Sequence, residues 1–145
     1  MSGRGAVTLV VRRTIRANPE RLFQAWTDPE ELVAWWGPRP VTCSRAEVDL
    51  RVGGHYRIDN LLPDGGKIAI VGEFRVVDAP RRLVYTWSMG ADERSLVTVR
   101  FEPRGADATE VIVVHEEIPS EGVRDSHEQG WNGCLDGLER HAGEC

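Results

Sequence analysis

The stretch SHEQGWNGCLDGLERHA, residues 126–142, decides the fold. At about 100° per residue, Trp131, Leu135, Leu138 and Ala142 fall on one narrow stripe flanked by His127 and Cys134, while Gln129, Asp136 and Arg140 point the opposite way. That pattern is a helix with one buried face. Ser126 with Gln129 three residues on has the form of a capping box, and Ser120 offers an earlier start. Glycines at 130, 133 and 137 cost such a helix about 1 kcal/mol each relative to alanine, so tertiary packing must hold it together. Gly130 and Gly137 lie beside Cys134 on one flank of the stripe. The missing side chains there leave room either for close packing of another element or for a ligand.

The rest of the chain supplies what covers this helix. Residues 6–16 (AVTLVVRRTIR) place Val7, Leu9, Val11 and Ile15 on one parity and read as a strand, after a flexible 1–5. Asn18-Pro19-Glu20 starts a helix whose buried side is Leu22, Phe23 and Trp26. Asp28-Pro29-Glu30 repeats the signal and starts a second short helix, 29–36, with Leu32, Val33, Trp35 and Trp36 as its apolar residues and Gly37-Pro38 as its stop. Pro29 disfavours helical geometry at Asp28, so the two helices form a V.

From residue 41 the period changes to two. Six strands are expected at 41–50, 55–61, 67–77, 82–89, 95–102 and 109–118. Their connectors are Gly53-Gly54, Pro63-Asp64-Gly65-Gly66, Asp78-Ala79-Pro80, residues 90–94 and residues 103–107, short enough to make neighbours antiparallel. The order strand, two helices, six strands, long helix describes an α+β domain, with a seven-stranded curved antiparallel sheet gripping the C-terminal helix.

Composition narrows the function classes. A chain of 145 residues fits one domain, 1–145, with a sizeable core. Eighteen basic against 23 acidic residues give a net charge of −5, with the basic residues spread out, which argues against nucleic acid as a partner. Three cysteines without metal-type spacing and no signal-peptide pattern suit a reducing cytoplasm. No apolar run approaches the roughly 20 residues of a membrane span, so a soluble protein is expected, a monomer or weak homodimer. The four histidines, His55, His115, His127 and His141, lie on different elements without the spacing of a metal site, and no cofactor motif is present.

Several motifs together carry a family resemblance: NPERLFQAWTDP (18–29), WWGP (35–38), DLRVGG (49–54), PRRLVYTW (80–87) and Gly130-Trp131 followed by Leu135. In order and spacing, from about Val7 to Ala142, the chain resembles the START-like (SRPBCC) helix-grip superfamily. Within it, the chain is most similar to the bacterial single-domain branch related to the activator of the heat-shock-protein-90 ATPase. The resemblance implies a seven-stranded sheet around the C-terminal helix, with a cavity that in many relatives accepts an apolar or amphipathic small molecule. It implies no single activity, because the superfamily holds lipid carriers, hormone binders and polyketide cyclases.

Weighed singly, the candidate residues have structural alternatives. His115 shares parity with Val111 and Val113, so it is either a cavity-facing polar group or a core histidine bonded to backbone, Glu73 or Asp59. Tyr85 and Trp87 share a strand face with Leu83 and Met89, and Tyr56 shares one with Ile58; such aromatics are core unless the core is incomplete. Trp36 either closes a cavity mouth or simply packs, and Cys134 reads as a small buried hydrophobe. Glu73 and Asp49 fall on solvent-facing parity.

The expectation is a cavity lined by some of Trp36, Tyr56, Tyr85, Trp87, His115, Trp131 and Cys134. The reading placed first is a non-catalytic binder of an apolar or aromatic molecule. A cyclase- or hydrolase-like enzyme in the same cavity stands second and requires two converging polar side chains, for which only His115 and Tyr85 offer themselves. A co-chaperone-like protein ranks last, because only five residues precede the first strand, where the eukaryotic activator carries a further N-terminal domain.

Overall fold

In the computed structural model, residues 7–37, 41–89 and 94–143 are described. The expected flexible start at 1–5, Ala6 of the first strand, Pro38 of the helix stop, positions 90–93 of a connector and Cys145 lie outside the described residues. The elements in order are β1 (Val7–Ile15), α1 (Pro19–Thr27), α2 (Pro29–Trp35), β2 (Thr42–Val48), β3 (His55–Leu61), β4 (Lys67–Asp78), β5 (Arg82–Trp87), β6 (Ser95–Arg104), β7 (Ala108–Ile118) and α3 (Glu121–Ala142). All seven strands join one antiparallel sheet in the order β1-β7-β6-β5-β4-β3-β2. The α1–α2 pair therefore carries the chain from one edge of the sheet to the other.

Local chemistry explains the V of the short helices. The Asn18 side chain accepts from the Arg21 amide at 2.8 Å, and Pro19 follows at the first helical position. Asp28 then serves both helices: its amide donates to Gln24 O, ending α1, while its carboxylate accepts from the Glu30 amide at 2.9 Å, starting α2. Its extended backbone (φ −89°, ψ 119°) is the geometry that Pro29 imposes on its predecessor.

On β7, strict alternation would carry the inward parity of Thr109, Val111, Val113 and His115 on to Glu117. Instead Val7 pairs with Ile118 while Leu9 pairs with His115, so β7 holds one extra residue opposite β1. Glu117 takes up the irregularity at φ +62°, and Ile118, fully buried, faces the core in its place. The bulge resolves a conflict between sequence and sheet: a carboxylate that alternation would bury is turned aside.

α3 begins six residues earlier than the Ser126 capping box suggests. Ser120 is its cap, accepting from the Val123 amide at 3.2 Å. Of the extra turns only Val123 packs, partly buried, against the core; every fully buried residue of α3 lies from Trp131 to Ala142. That stretch packs on β1, β7 and the two short helices. Arg13 of β1 holds it from the side, reaching Asp136 at 2.7 Å and Glu139 at 3.2 Å. At about 25 cal/mol per Å², each large side chain buried here contributes roughly 1.5–3 kcal/mol.

The three helices meet at one carboxylate. Glu31 of α2 accepts from Arg21 of α1 at 2.6 Å and lies 2.9 Å from His141 Nε2 of α3. Burial pushes its pKa up, but the bonds and charges of Arg21 and His141 outweigh that and hold the carboxyl below its ordinary value.

Candidate functional site

The two glycines on the flank of α3 have opposite roles. A Cβ on Gly137 would stand 2.4 Å from the Trp35 carbonyl oxygen, so this glycine lets the end of α2 approach the helix backbone. A Cβ on Gly130 would meet nothing within 4 Å, because Gly130 borders empty space. Close packing and room for a ligand thus both occur, two helical turns apart.

That space is a cavity of about 370 Å³ between the N-terminal half of α3 and the β3–β6 part of the sheet. Its apolar walls are Trp36, Trp87 and Trp131 with Ile68, Ile70 and Cys134; polar atoms come from Asn60, Ser95 and His127, with Arg94 at the rim. Trp131 is central to the wall. Its ring stacks on Trp26 (centroids 6.0 Å apart, 19° between planes), meets Trp36 edge-on at 5.7 Å and lies 5.2 Å from Trp87. Trp35 joins through Trp26 at 5.2 Å, so all five tryptophans of the chain form one cluster.

His115 lies behind this wall, fully buried. Neither Glu73 nor Asp59 reaches it; its partners are Ser95 Oγ at 2.6 Å from Nε2 and the Trp131 indole N–H, which donates to Nδ1 at 3.1 Å. His127 stacks on it with centroids 4.5 Å apart. Burial, and secondarily the proximity of His127, lower its pKa to about 3, so it is neutral at physiological pH. An indole N–H only donates, so Nδ1 must be the unprotonated nitrogen and Nε2 carries the hydrogen.

Tyr56 and Tyr85 are placed on inward parity by their strands, yet neither borders this cavity. The Tyr56 hydroxyl donates to the Thr86 carbonyl at 2.7 Å, and the Tyr85 hydroxyl accepts from Trp26 Nε1 at 3.3 Å. The two rings pack edge-on at 5.1 Å, and burial raises both phenols above their ordinary pKa. They belong to the filled part of the core. Tyr85 and His115 therefore sit in separate hydrogen-bonded groups and do not converge as an acid–base pair. Glu73 and Asp49 keep half-exposed side chains beside Arg75 and Arg51.

Cys134 is buried, and its thiol is pushed up to about 12 by that burial against the opposing effect of the Gly37 amide, so it acts as apolar wall. The Trp87 indole N–H is buried without a hydrogen-bond acceptor among the described residues, a cost of about 1–3 kcal/mol carried by the cavity wall. Asn60, Ser95, Ile68 and Ile70 are lining residues that sequence reasoning missed. Small polar side chains near the ends of strands carry no periodic signal, and the β4 isoleucines differ in no visible way from core.

Among the described residues no group of His, Cys, Asp and Glu is arranged to hold a metal ion, and no helix is long and apolar enough to cross a membrane.

A curved antiparallel sheet closed over a C-terminal helix, with a cavity under the helix's first half, defines the helix-grip class. Residues 16–143 match the model of the family described as Activator of Hsp90 ATPase homolog 1-like protein, and the chain belongs to that family. Solved structures agree over nearly the whole length. A protein from Chromobacterium violaceum is 28% identical, with 95% of this chain and 99% of that one covered and a TM-score of 0.87. The AHSA1 protein from Silicibacter pomeroyi is 25% identical (92% and 96% covered, TM-score 0.82). An AHSA1-like protein from Aeromonas hydrophila is also 25% identical (93% and 91% covered, TM-score 0.81). No curated protein matches the sequence.

Proposed function

We propose that this protein binds a small apolar or aromatic molecule in the space beneath the N-terminal half of α3. The observation that carries the reading is the cavity itself: about 370 Å³, walled by Trp36, Trp87 and Trp131, with a few polar atoms at one side. Pockets for small ligands usually enclose about 300–1,000 Å³ and combine apolar walls with a few orienting polar groups. The bordering Gly130 adds support, because it gives up helix propensity at a position where no neighbour needs the space.

The site residues we assign are Trp36, Trp87, Trp131 and Cys134 from the first expectation, with Ser95, Asn60 and His127 added. Tyr56, Tyr85 and the ring of His115 act as support behind them. The catalytic alternative finds less to stand on, since the His115–Tyr85 pair it requires is not assembled.

Native mass spectrometry of the purified protein would look for a co-purifying small molecule. An environment-sensitive dye should bind and be displaced by small aromatic or acyl compounds, with Trp87→Ala changing its affinity. Dye binding indifferent to both Trp87→Ala and Trp131→Ala would put the site elsewhere on the protein.

A further inference from the structure

Ser95 is the first residue of β6, paired with Trp87 of β5, and it is buried at the cavity wall. Three hydrogen-bonding groups run in line to it: the Trp131 N–H, the His115 ring and the Ser95 hydroxyl. The direction of this line is fixed at its far end. Indole can only donate, so His115 Nδ1 accepts; the neutral ring then carries its hydrogen on Nε2 and donates to Ser95 Oγ. With its oxygen used as acceptor, the serine keeps one hydrogen to give. No acceptor for that hydrogen is found among the described residues, and the side chain borders the cavity.

We infer that the cavity selects molecules carrying a hydrogen-bond-accepting oxygen of carbonyl type, as in a ketone, ester or carboxylate, on an apolar body, and that Ser95 reads that oxygen. The inference rests on the binding function proposed above and adds the ligand class. His115 is a positioning residue. It touches no ligand but sets which way the serine points its hydrogen, and a serine left free to rotate would greet donors and acceptors alike. Arg94 at the rim makes no ion pair among the described residues and leaves the carboxylate version of the ligand accommodated. A protonated His115 would set a second N–H against the Trp131 N–H and break the line, and its depressed pKa keeps that form scarce near neutrality.

The test uses the full chain and two probes of one shape, naphthalene and 2-acetylnaphthalene, titrated by calorimetry or dye displacement. In the wild type the acetyl compound should bind about three- to tenfold more tightly, the effect of one buried neutral hydrogen bond. Ser95→Ala should bring that ratio to about one. His115→Leu should also collapse the ratio. His115→Gln, whose amide can accept from Trp131 and donate to Ser95, should restore it. Because the ratio is taken within each variant, loss of folded protein does not imitate the result. A wild-type ratio near one, or a preference that survives in Ser95→Ala or His115→Leu, overturns the inference while leaving the binding function intact. If neither probe binds the wild type, the binding function falls and the inference with it.

Discussion

The Trp131 indole N–H donates to His115 Nδ1 at 3.1 Å, and this contact ties the middle of α3 to the last strand of the sheet. It also makes folding sensitive to acid. The folded-state pKa of His115 is about 3, below the ordinary 6.5, so between those values the unfolded chain binds a proton that the native protein refuses. Stability is therefore full above about pH 6.5 and falls as pH drops towards 3. His127 and Ser95 face the same ring but offer no carboxylate to offset the charge.

Urea unfolding at about pH 7 and about pH 5 should differ by about 2 kcal/mol in the wild type, and by clearly less in His115→Gln. Holding the comparison above the ordinary carboxylate range keeps Glu31 out of it. Equal stabilities at the two pH values would mean that His115 protonates as it would in water.

Trp131→Ala should destabilise the fold by about 3–5 kcal/mol, because the ring is buried among Trp26, Trp36 and Trp87 and satisfies His115. A denaturation midpoint within error of wild type would show that α3 does not grip the sheet through this residue.

Alanine at the two flank glycines should act in opposite directions. Gly130→Ala fills open space on a helix and should stabilise by up to about 1 kcal/mol while narrowing the cavity and weakening dye binding. Gly137→Ala drives a methyl against the Trp35 carbonyl and should destabilise by about 1–3 kcal/mol. Thermal melts of the pair, run together, decide it; shifts of the same sign would contradict the assignment of one glycine to packing and the other to the cavity.

Glu31→Gln removes the charge shared by Arg21 and His141 and should cost up to about 1 kcal/mol near neutrality. The sign follows from its lowered pKa: the wild-type advantage is present above the ordinary carboxylate pKa of 4.5 and fades as pH falls through the depressed value. An advantage that grew on acidification would place the interaction in the protonated form instead.

The sheet was legible because parity and turn chemistry agree along most strands. β3 runs His55–Leu61 as expected, and the double use of Asp28 follows from two Asx-Pro-Glu starts. Parity says which face a side chain is on and nothing about where along that face the core is full. Tyr56 and Tyr85 share the inward face with Trp87, yet they lie where the core is filled, whereas Trp87 reaches the void. Of the two starts that the sequence offers for α3, Ser126 and Ser120, the structure takes Ser120. Residues 121–130 carry no apolar stripe, since they stand over a space and not over a packed sheet, so burial periodicity by itself does not choose between the two. The bulge at Glu117 was invisible because period two contains no signal for one added residue.

The division of α3 at Trp131 has a consequence for how such a protein can change over generations. The fully buried residues of α3 lie from Trp131 onward, while Val123, Ser126, His127 and Gly130 before it border the chamber, with Trp131 and Cys134 serving both ends of one continuous rod. Substitutions at Ser126 or Gly130 can alter the size and polarity of the space without touching the buried contacts that α3 makes from Trp131 onward. Ligand preference and thermal robustness are therefore separable at those positions, and a lineage can exchange one molecular cargo for another through them without first passing through an unstable ancestor.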